Sequence, residues 1–311
     1  MTFLNYLFAF FVFPGFLFAA AAGLLAGWVD RKVTARLQWR KGPPWYQNFI
    51  DVAKLLFYKE TLIPEGVSRV FFLGMPVIAA AGAALVSTIV LVINANPARG
   101  FIGDLVVIVY LLMIPSISLM LGGFTSENSL ASLGASREMK LMLSYELPFI
   151  LALIVPIMKS GYAIRIGDII TSQNNGLVIG SFSGVLSFLV MVFCIQAKLG
   201  FVPFDMAEAE TEIISGPYIE YSGKALAIFK LGKAMMLFII PVFLITLYFG
   251  GIKFNAEGFI KNIFQYLAIL FLMIVIKNTN PRVRIDHAMK FFWGIVTITA
   301  VISVVLAYMG Y

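Results

Sequence analysis

Eight long apolar runs divide the chain, at about 3–29, 70–93, 101–121, 139–158, 177–197, 225–249, 259–276 and 291–309. Each approaches the ~17–25 residues that a helix needs to cross a hydrocarbon core of ~30 Å. The pattern predicts an all-α, polytopic membrane protein with about eight transmembrane helices, forming one integral membrane domain over residues 1–311. The first run has no Lys or Arg before Asp30 and is longer than the ~7–15-residue apolar stretch of a leader peptide, so it reads as a span. One polar stretch has its own periodicity. After the rigid Gly42-Pro43-Pro44 break, Tyr46–Lys59 places Phe49, Ile50, Ala53, Leu56 and Phe57 on one face. It is too short and too polar to span, which predicts an amphipathic helix lying at the membrane surface.

Composition agrees with the pattern and removes other classes. Hydrophobic residues make up 60% of the 311 and charged residues 13%, where a soluble domain carries about a quarter charged. A soluble enzyme, a disordered chain and a disulfide scaffold are excluded. Cys194 and His287 are the one cysteine and the one histidine, whereas an iron–sulfur cluster or a structural zinc takes about four such ligands. No cofactor is therefore expected in this chain, and redox centres are expected on partner subunits.

The net charge of +7 does not point to nucleic acid, because the basic residues sit in alternate loops. With loops 30–69, 122–138, 198–224 and 277–290 on one side, that side holds 16 of the 23 Lys and Arg, against five on the other. The asymmetry predicts both termini outside, with the charged loops cytoplasmic and the chain in the plasma membrane. Twelve of the 16 acids fall on the same inner side, which no topology rule demands. Loops rich in both signs read as a docking surface for soluble partners.

Three groups of charges stand out. Glu146 lies within the fourth apolar run, where a carboxylate costs ~2.5–3.5 kcal/mol unless it is neutral, paired or watered. Asp205, Glu208, Glu210, Glu212 and Glu220 crowd the third inner loop. Pro203 and Gly216-Pro217 suggest the ends of a helix, on which Asp205, Glu208 and Glu212 would share a face and repel one another. Lys230 and Lys233, three apart in the sixth run, require anions or water, and Glu146 or the loop acids are candidates. Together these residues suggest a proton relay; a solvated acidic helix and snorkelling lysines are the structural alternatives.

The same segments carry a resemblance. DRKVTARLQ (30–38), LGASREMKLMLSYELP (133–148) and PFDMAEAETEIISGPYIEYSG (203–223) resemble, in order, motifs of the subunit 1 family of respiratory complex I, also termed its H subunit, and of its relatives in membrane-bound hydrogenases. The resemblance covers nearly the whole chain. Departures from complex I at Arg40-Lys41-Gly42-Pro43-Pro44 and Leu231-Gly232-Lys233-Ala234, with the strings 134–139 and 284–293, are most similar to the group 4 nickel–iron hydrogenase branch. The resemblance implies a membrane-anchoring and coupling subunit, without a redox centre of its own, in a ferredoxin-linked, ion-translocating oxidoreductase. It implies iron–sulfur clusters and a nickel–iron centre in peripheral hydrogenase-like large and small subunits, and antiporter-like neighbours in the membrane. Carried over by motif, Glu146 and the five loop acids match the family's acidic funnel. Arg36, Arg40, Gly42, Pro43, Pro44, Trp45, Tyr46 and Arg137 are the expected partner interface. Quinone-reducing complex I and a sulfur-reducing relative are the nearest alternatives. A free-standing transporter would show internal repeats, and none is visible.

Overall fold

The computed structural model describes residues 3–174 and 176–311, and among them there are helices and turns but no strand. Seven helices or joined helix pairs are long and apolar enough to cross a membrane, and an eighth, Phe182–Lys198, is apolar but shorter. The pattern of eight runs thus persists, with three changes of boundary. The first run is two helices, α1 (Phe3–Phe11) and α2 (Phe16–Leu37), separated at Phe13-Pro14-Gly15, where proline removes a backbone donor. The fourth begins ten residues early, as α6 (Ser129–Lys159), so Arg137 and Glu138 are helical rather than in a loop. The fifth begins five residues late, because residues 178–180 form a 3₁₀ turn before α8 (Phe182–Lys198).

The remaining elements are α3 (Gln47–Phe57), α4 (Arg69–Ala95), α5 (Asp104–Thr125), α7 (Ile166–Ser172), α9 (Glu210–Ile213), α10 (Gly223–Tyr248), α11 (Ala256–Thr279), α12 (Ile285–Phe291) and α13 (Thr297–Tyr308), the last two joined by a π-helical turn. Prolines 76, 115, 148, 156 and 241 lie inside these helices, as neighbouring helices permit at membrane depth.

α10 is the centre of the bundle. Of its most apolar window 72% is buried within the protein, against 28% for α11 and 22% for the α12–α13 pair, whose outer faces are left to lipid or to other subunits. Small residues let the helices approach. A Cβ on Gly23 of α2 would stand 2.2 Å from the carbonyl oxygen of Ala234 on α10, so backbone meets backbone there. Gly134 of α6 sits likewise under the 3₁₀ turn at Gly216–Tyr218, where a Cβ would stand 2.7 Å from a Pro217 ring carbon.

α3 lies against α2 and α10, but on a different face from the one its periodicity suggests. Asn48, Val52 and Leu55 are buried, while Phe57 is 82% exposed. The reason is one hydrogen bond: Asn48 Nδ2 donates to the carbonyl of Leu24 at 2.9 Å, turning a polar residue inward. Trp28 Nε1 donates to Pro43 O at 3.1 Å, folding the Gly42-Pro43-Pro44 break onto α2.

Hydrogen bonds and ion pairs tie the charged loops to one another on one side of the bundle. Leu62 N donates to Ser222 Oγ at 2.8 Å and Asn128 Nδ2 to Glu220 Oε1 at 2.6 Å. On the opposite side Arg165 donates to Ala98 O at 2.6 Å.

Gly23→Val should drive a side chain into the α10 backbone and destabilise the bundle by about 1–3 kcal/mol, the usual cost of overpacking. Gly74→Ala, on an open face of α4 with nothing within 4 Å of its Cβ, should leave stability unchanged. Thermal unfolding of the two variants in detergent, followed by tryptophan fluorescence, checks the contrast.

Candidate functional site: a buried line of paired charges

The loop after α8 does not form the helix that Pro203 suggests. Residues 201–209 are turns, and only Glu210–Ile213 is helical. The acids therefore do not share a face. Each that is described reaches a different polar partner. Asp205 meets Arg282 at 2.9 Å, Glu208 meets Lys233 at 2.5 Å, and Glu212 meets Arg137 at 2.6 Å. Glu220 accepts from Asn128 and stands apart from the others. The side chain of Glu210 lies outside the described residues. Like charges on one short loop favour this arrangement, because three separate cations relieve the repulsion that a helical face would concentrate. Burial, and then the neighbouring Glu208 carboxylate, push the Asp205 carboxyl above its ordinary value despite Arg282.

Glu146 pairs with neither Lys230 nor Lys233. Its partner is Lys198, at the end of α8, with Nζ 3.3 Å from Glu146 Oε2. The Lys198 side chain is 0% exposed and that of Glu146 is 13% exposed. The ammonium also lies over the rings of Phe149 and Tyr145, at 4.6 and 5.3 Å from their centroids. Glu146 Oε1 and the Tyr145 hydroxyl are buried without a hydrogen-bond partner among the described residues, so the pair retains unused polar capacity. Lys230 is exposed and makes no ion pair there, as a snorkelling side chain would.

Two residues of this site do not announce themselves in the sequence. Glu138 and Lys198 read as loop or junction residues when the helix ends are set by hydropathy, yet both are buried, at 6% exposure each. The signal that could have found Glu138 is its spacing: Glu138, Leu141, Tyr145 and Phe149 recur at three and four residues and mark one buried stripe of α6.

Cavities connect these charges. One of about 460 Å³ opens between α2, α3 and α10 and is lined by Asp30, Asp51, Lys54, Lys230 and Lys233. Another of about 450 Å³ is lined by Glu208, Tyr218, Lys230 and Lys233. Deeper lies a chamber of about 50 Å³, bordered by Ser116, Glu138, Lys198, Glu208, Tyr218 and Lys233, with room for about three waters. Lys233 borders all three. Burial, then the nearby Glu208, hold the Tyr218 phenol well above its ordinary value, so it stays a neutral donor at the edge of the chamber. The result is an alternating series, Glu208–Lys233, Glu138, Lys198–Glu146, running from the charged face into the apolar bundle. Asp30, which lines the cavity between α2, α3 and α10, is paired with Lys277 of α11 at 2.8 Å.

The expected interface residues fall on the charged face. Arg36, Arg40, Pro44, Trp45 and Tyr46 are exposed, and Trp39, between the two arginines, is 99% exposed. Gly42 and Pro43 are partly covered by α2, and Arg137 is turned inward to Glu212 and to Met206 O.

An alternating line of acids and bases in a bundle can shift protons, or redistribute charge, when one member changes state. Lys198 is the most enclosed link. Glu146→Gln and Lys198→Met should each destabilise the protein by about 3–5 kcal/mol by stranding a buried charge, and the double variant should recover most of that loss. A thermal-unfolding double-mutant cycle measures the coupling.

The chain as a whole has relatives. The NADH dehydrogenase family matches the chain over residues 9–308. The NADH-quinone oxidoreductase H subunit of Geobacillus thermodenitrificans is 31% identical over 289 residues, covering 89% of this chain and 86% of that protein. The H subunit of the Carboxydothermus hydrogenoformans enzyme is 34% identical over 298 residues, covering 89% and 81%. Among solved structures, a chain of the membrane-bound sulfane sulfur reductase, an archaeal respiratory membrane complex, superimposes with a TM-score of 0.86 at 28% identity, covering 97% of this chain and 99% of that one.

Proposed function

The chain belongs to the NADH dehydrogenase family, as a homologue of the H subunit of complex I, and on that premise we propose that it is the anchoring and coupling subunit of a ferredoxin-linked membrane complex of the hydrogenase and sulfane sulfur reductase kind. It holds no redox centre. Iron–sulfur clusters, and a nickel–iron centre if the complex makes hydrogen, belong to the peripheral large and small subunits docked on the charged face. Antiporter-like subunits lie alongside in the membrane. Arg36, Arg40, the 42–46 turn with Trp39, and the 205–220 segment form the docking surface.

The observation that carries this reading is the series from part-buried Glu208 and Lys233 through buried Glu138 and Lys198 to Glu146. A mere anchor has no use for a 0% exposed lysine facing a carboxylate in the middle of a bundle, because each such charge is costly to bury. In operation, a redox event in the peripheral arm alters the charge or proton occupancy beside Asp205 and Glu208. Lys233 then shifts its hold on Glu208, the waters of the inner chamber exchange a proton with Glu138, and Lys198 and Glu146 respond. The change so travels laterally, from the docking face towards the neighbouring membrane subunits. Protons or sodium ions are moved in those subunits.

The near-complete superposition with the sulfane sulfur reductase chain, together with the departures at Arg40–Pro44 and Leu231–Ala234 noted in the sequence, favours this branch over a quinone reductase. The metal content of the purified complex separates the members. A nickel signal near one per complex, by inductively coupled plasma mass spectrometry, is expected for a hydrogenase; iron without nickel is expected for the sulfur-reducing relative.

Coupling itself is tested in proteoliposomes. Glu146→Gln should lower ion translocation about a hundredfold, the scale of one positioned proton donor, while electron transfer falls far less. Full pumping at the wild-type electron-transfer rate would sink the relay.

A further inference from the structure

The side of the bundle away from the charged loops carries a groove that the coupling series does not use. It has a volume of about 530 Å³ and lies between α2, α4, α10 and α11. Phe18, Leu91, Phe238, Val242, Phe259 and Leu267 line it, and its polar members are few, chiefly Arg99 and Asn262. The size falls within the ~300–1,000 Å³ of small-molecule sites. At this depth there is no water to fill an apolar void, and an empty one forfeits the dispersion contacts of every side chain around it.

The rim of the groove is cationic on the side where cations are scarce. Of the five Lys and Arg assigned there, Lys159 donates to Tyr311 O at 2.9 Å, and Arg165 donates to Ala98 O and lies 3.9 Å from Asp168. Of the other three, one lines the groove and two adjoin lining residues along the chain. Arg99 lines it, Lys253 stands between the lining residues Ile252 and Phe254, and Lys261 precedes the lining residue Asn262. Among the described residues none of the three makes a side-chain hydrogen bond or an ion pair, although Glu257 lies one turn before Lys261. Asn262 is fixed by donating to Lys253 O at 3.0 Å, which ties the rim to α11.

An apolar trough with the Arg99 guanidinium on its lining, and with Lys253 and Lys261 beside lining residues along the chain, matches one kind of occupant, an amphiphile with acyl chains and an anionic head. We propose that this groove binds an anionic phospholipid, with an acyl chain between α4, α10 and α11 and its phosphate on Arg99. The bound lipid fills the space beside the central helix α10 on the half of the membrane opposite the charge series.

The test uses the whole purified complex in nanodiscs of phosphatidylcholine containing a small share of phosphatidylglycerol with a diazirine on its acyl chain. After illumination, cross-linked residues are mapped by peptide mass spectrometry. Adducts should concentrate on residues 91–95 and 238–245. Arg99→Gln should lower them about fivefold, the share of one surface cation in binding an anionic lipid. Val242→Trp, which fills the trough, should abolish them, and Arg99→Gln keeps the test valid if the bulky variant does not fold. A diazirine phosphatidylcholine should label the same residues more weakly. The proposal is overturned if adducts spread evenly over the exposed faces of α11 and α13, if they ignore Arg99, if both lipids label equally, or if no adducts form because a partner subunit covers the groove.

Discussion

A charge placed in hydrocarbon must be neutralised where it stands, and the architecture follows from meeting that condition at Lys198. Its ammonium is wholly enclosed, so a carboxylate and aromatic faces have to be brought to it from α6. That fixes the contact of α6 with α8 at Glu146, Tyr145 and Phe149. The next carboxylate on the same stripe, Glu138, opens on the small chamber where α10 supplies Lys233 and the connecting loop supplies Glu208. Packing serves the same end. Glycines at 23 and 134 let backbones meet, and close backbone approach keeps bulk water away from charges that depend on one another.

The fold was largely legible in the sequence because hydropathy is a strong signal at twenty-residue scale. The eight runs, the surface helix after the double proline and the crowded charged face all follow from it. What hydropathy could not locate is where a helix continues past its apolar stretch. α6 extends ten residues into what reads as a loop, and so Glu138 looked solvated. Lys198 was hidden by the same blind spot at the other end of α8. Partner choice was also beyond the sequence. Glu146 and Lys233 are each buried charges seeking a counter-ion, and nothing in spacing says that they take Lys198 and Glu208 rather than each other. The loop acids show a different failure. Pro203 and Gly216-Pro217 resemble helix ends, but local signals were overruled by three separate cations on three separate elements. In α3 a single hydrogen bond from Asn48 outweighed an apolar stripe.

The likeness to the complex I proteins and to the sulfane sulfur reductase chain concerns the frame, and the frame permits more than one chemistry at its charged face. Within it, Lys198 and Lys233 stand among the carboxylates Glu146, Glu138 and Glu208, so each lysine has an acid to pair with or to face. The large cavity between α2, α3 and α10 stands next to this series at Lys233 rather than apart from it.

The non-helical loop 201–209 has a mechanical meaning. Its acids, with Glu212 just beyond, are anchored to α6, to α10 and to the segment before α12, while its own backbone forms no regular helix. Such a loop acts like the node of a cable net. Tension applied anywhere by a docked subunit is distributed to two helices and the α11–α12 connection at once, and slackening any one tie lets the other two re-equilibrate. A rigid helix in that position would have transmitted a push along a single axis; a tethered loop transmits a change of balance.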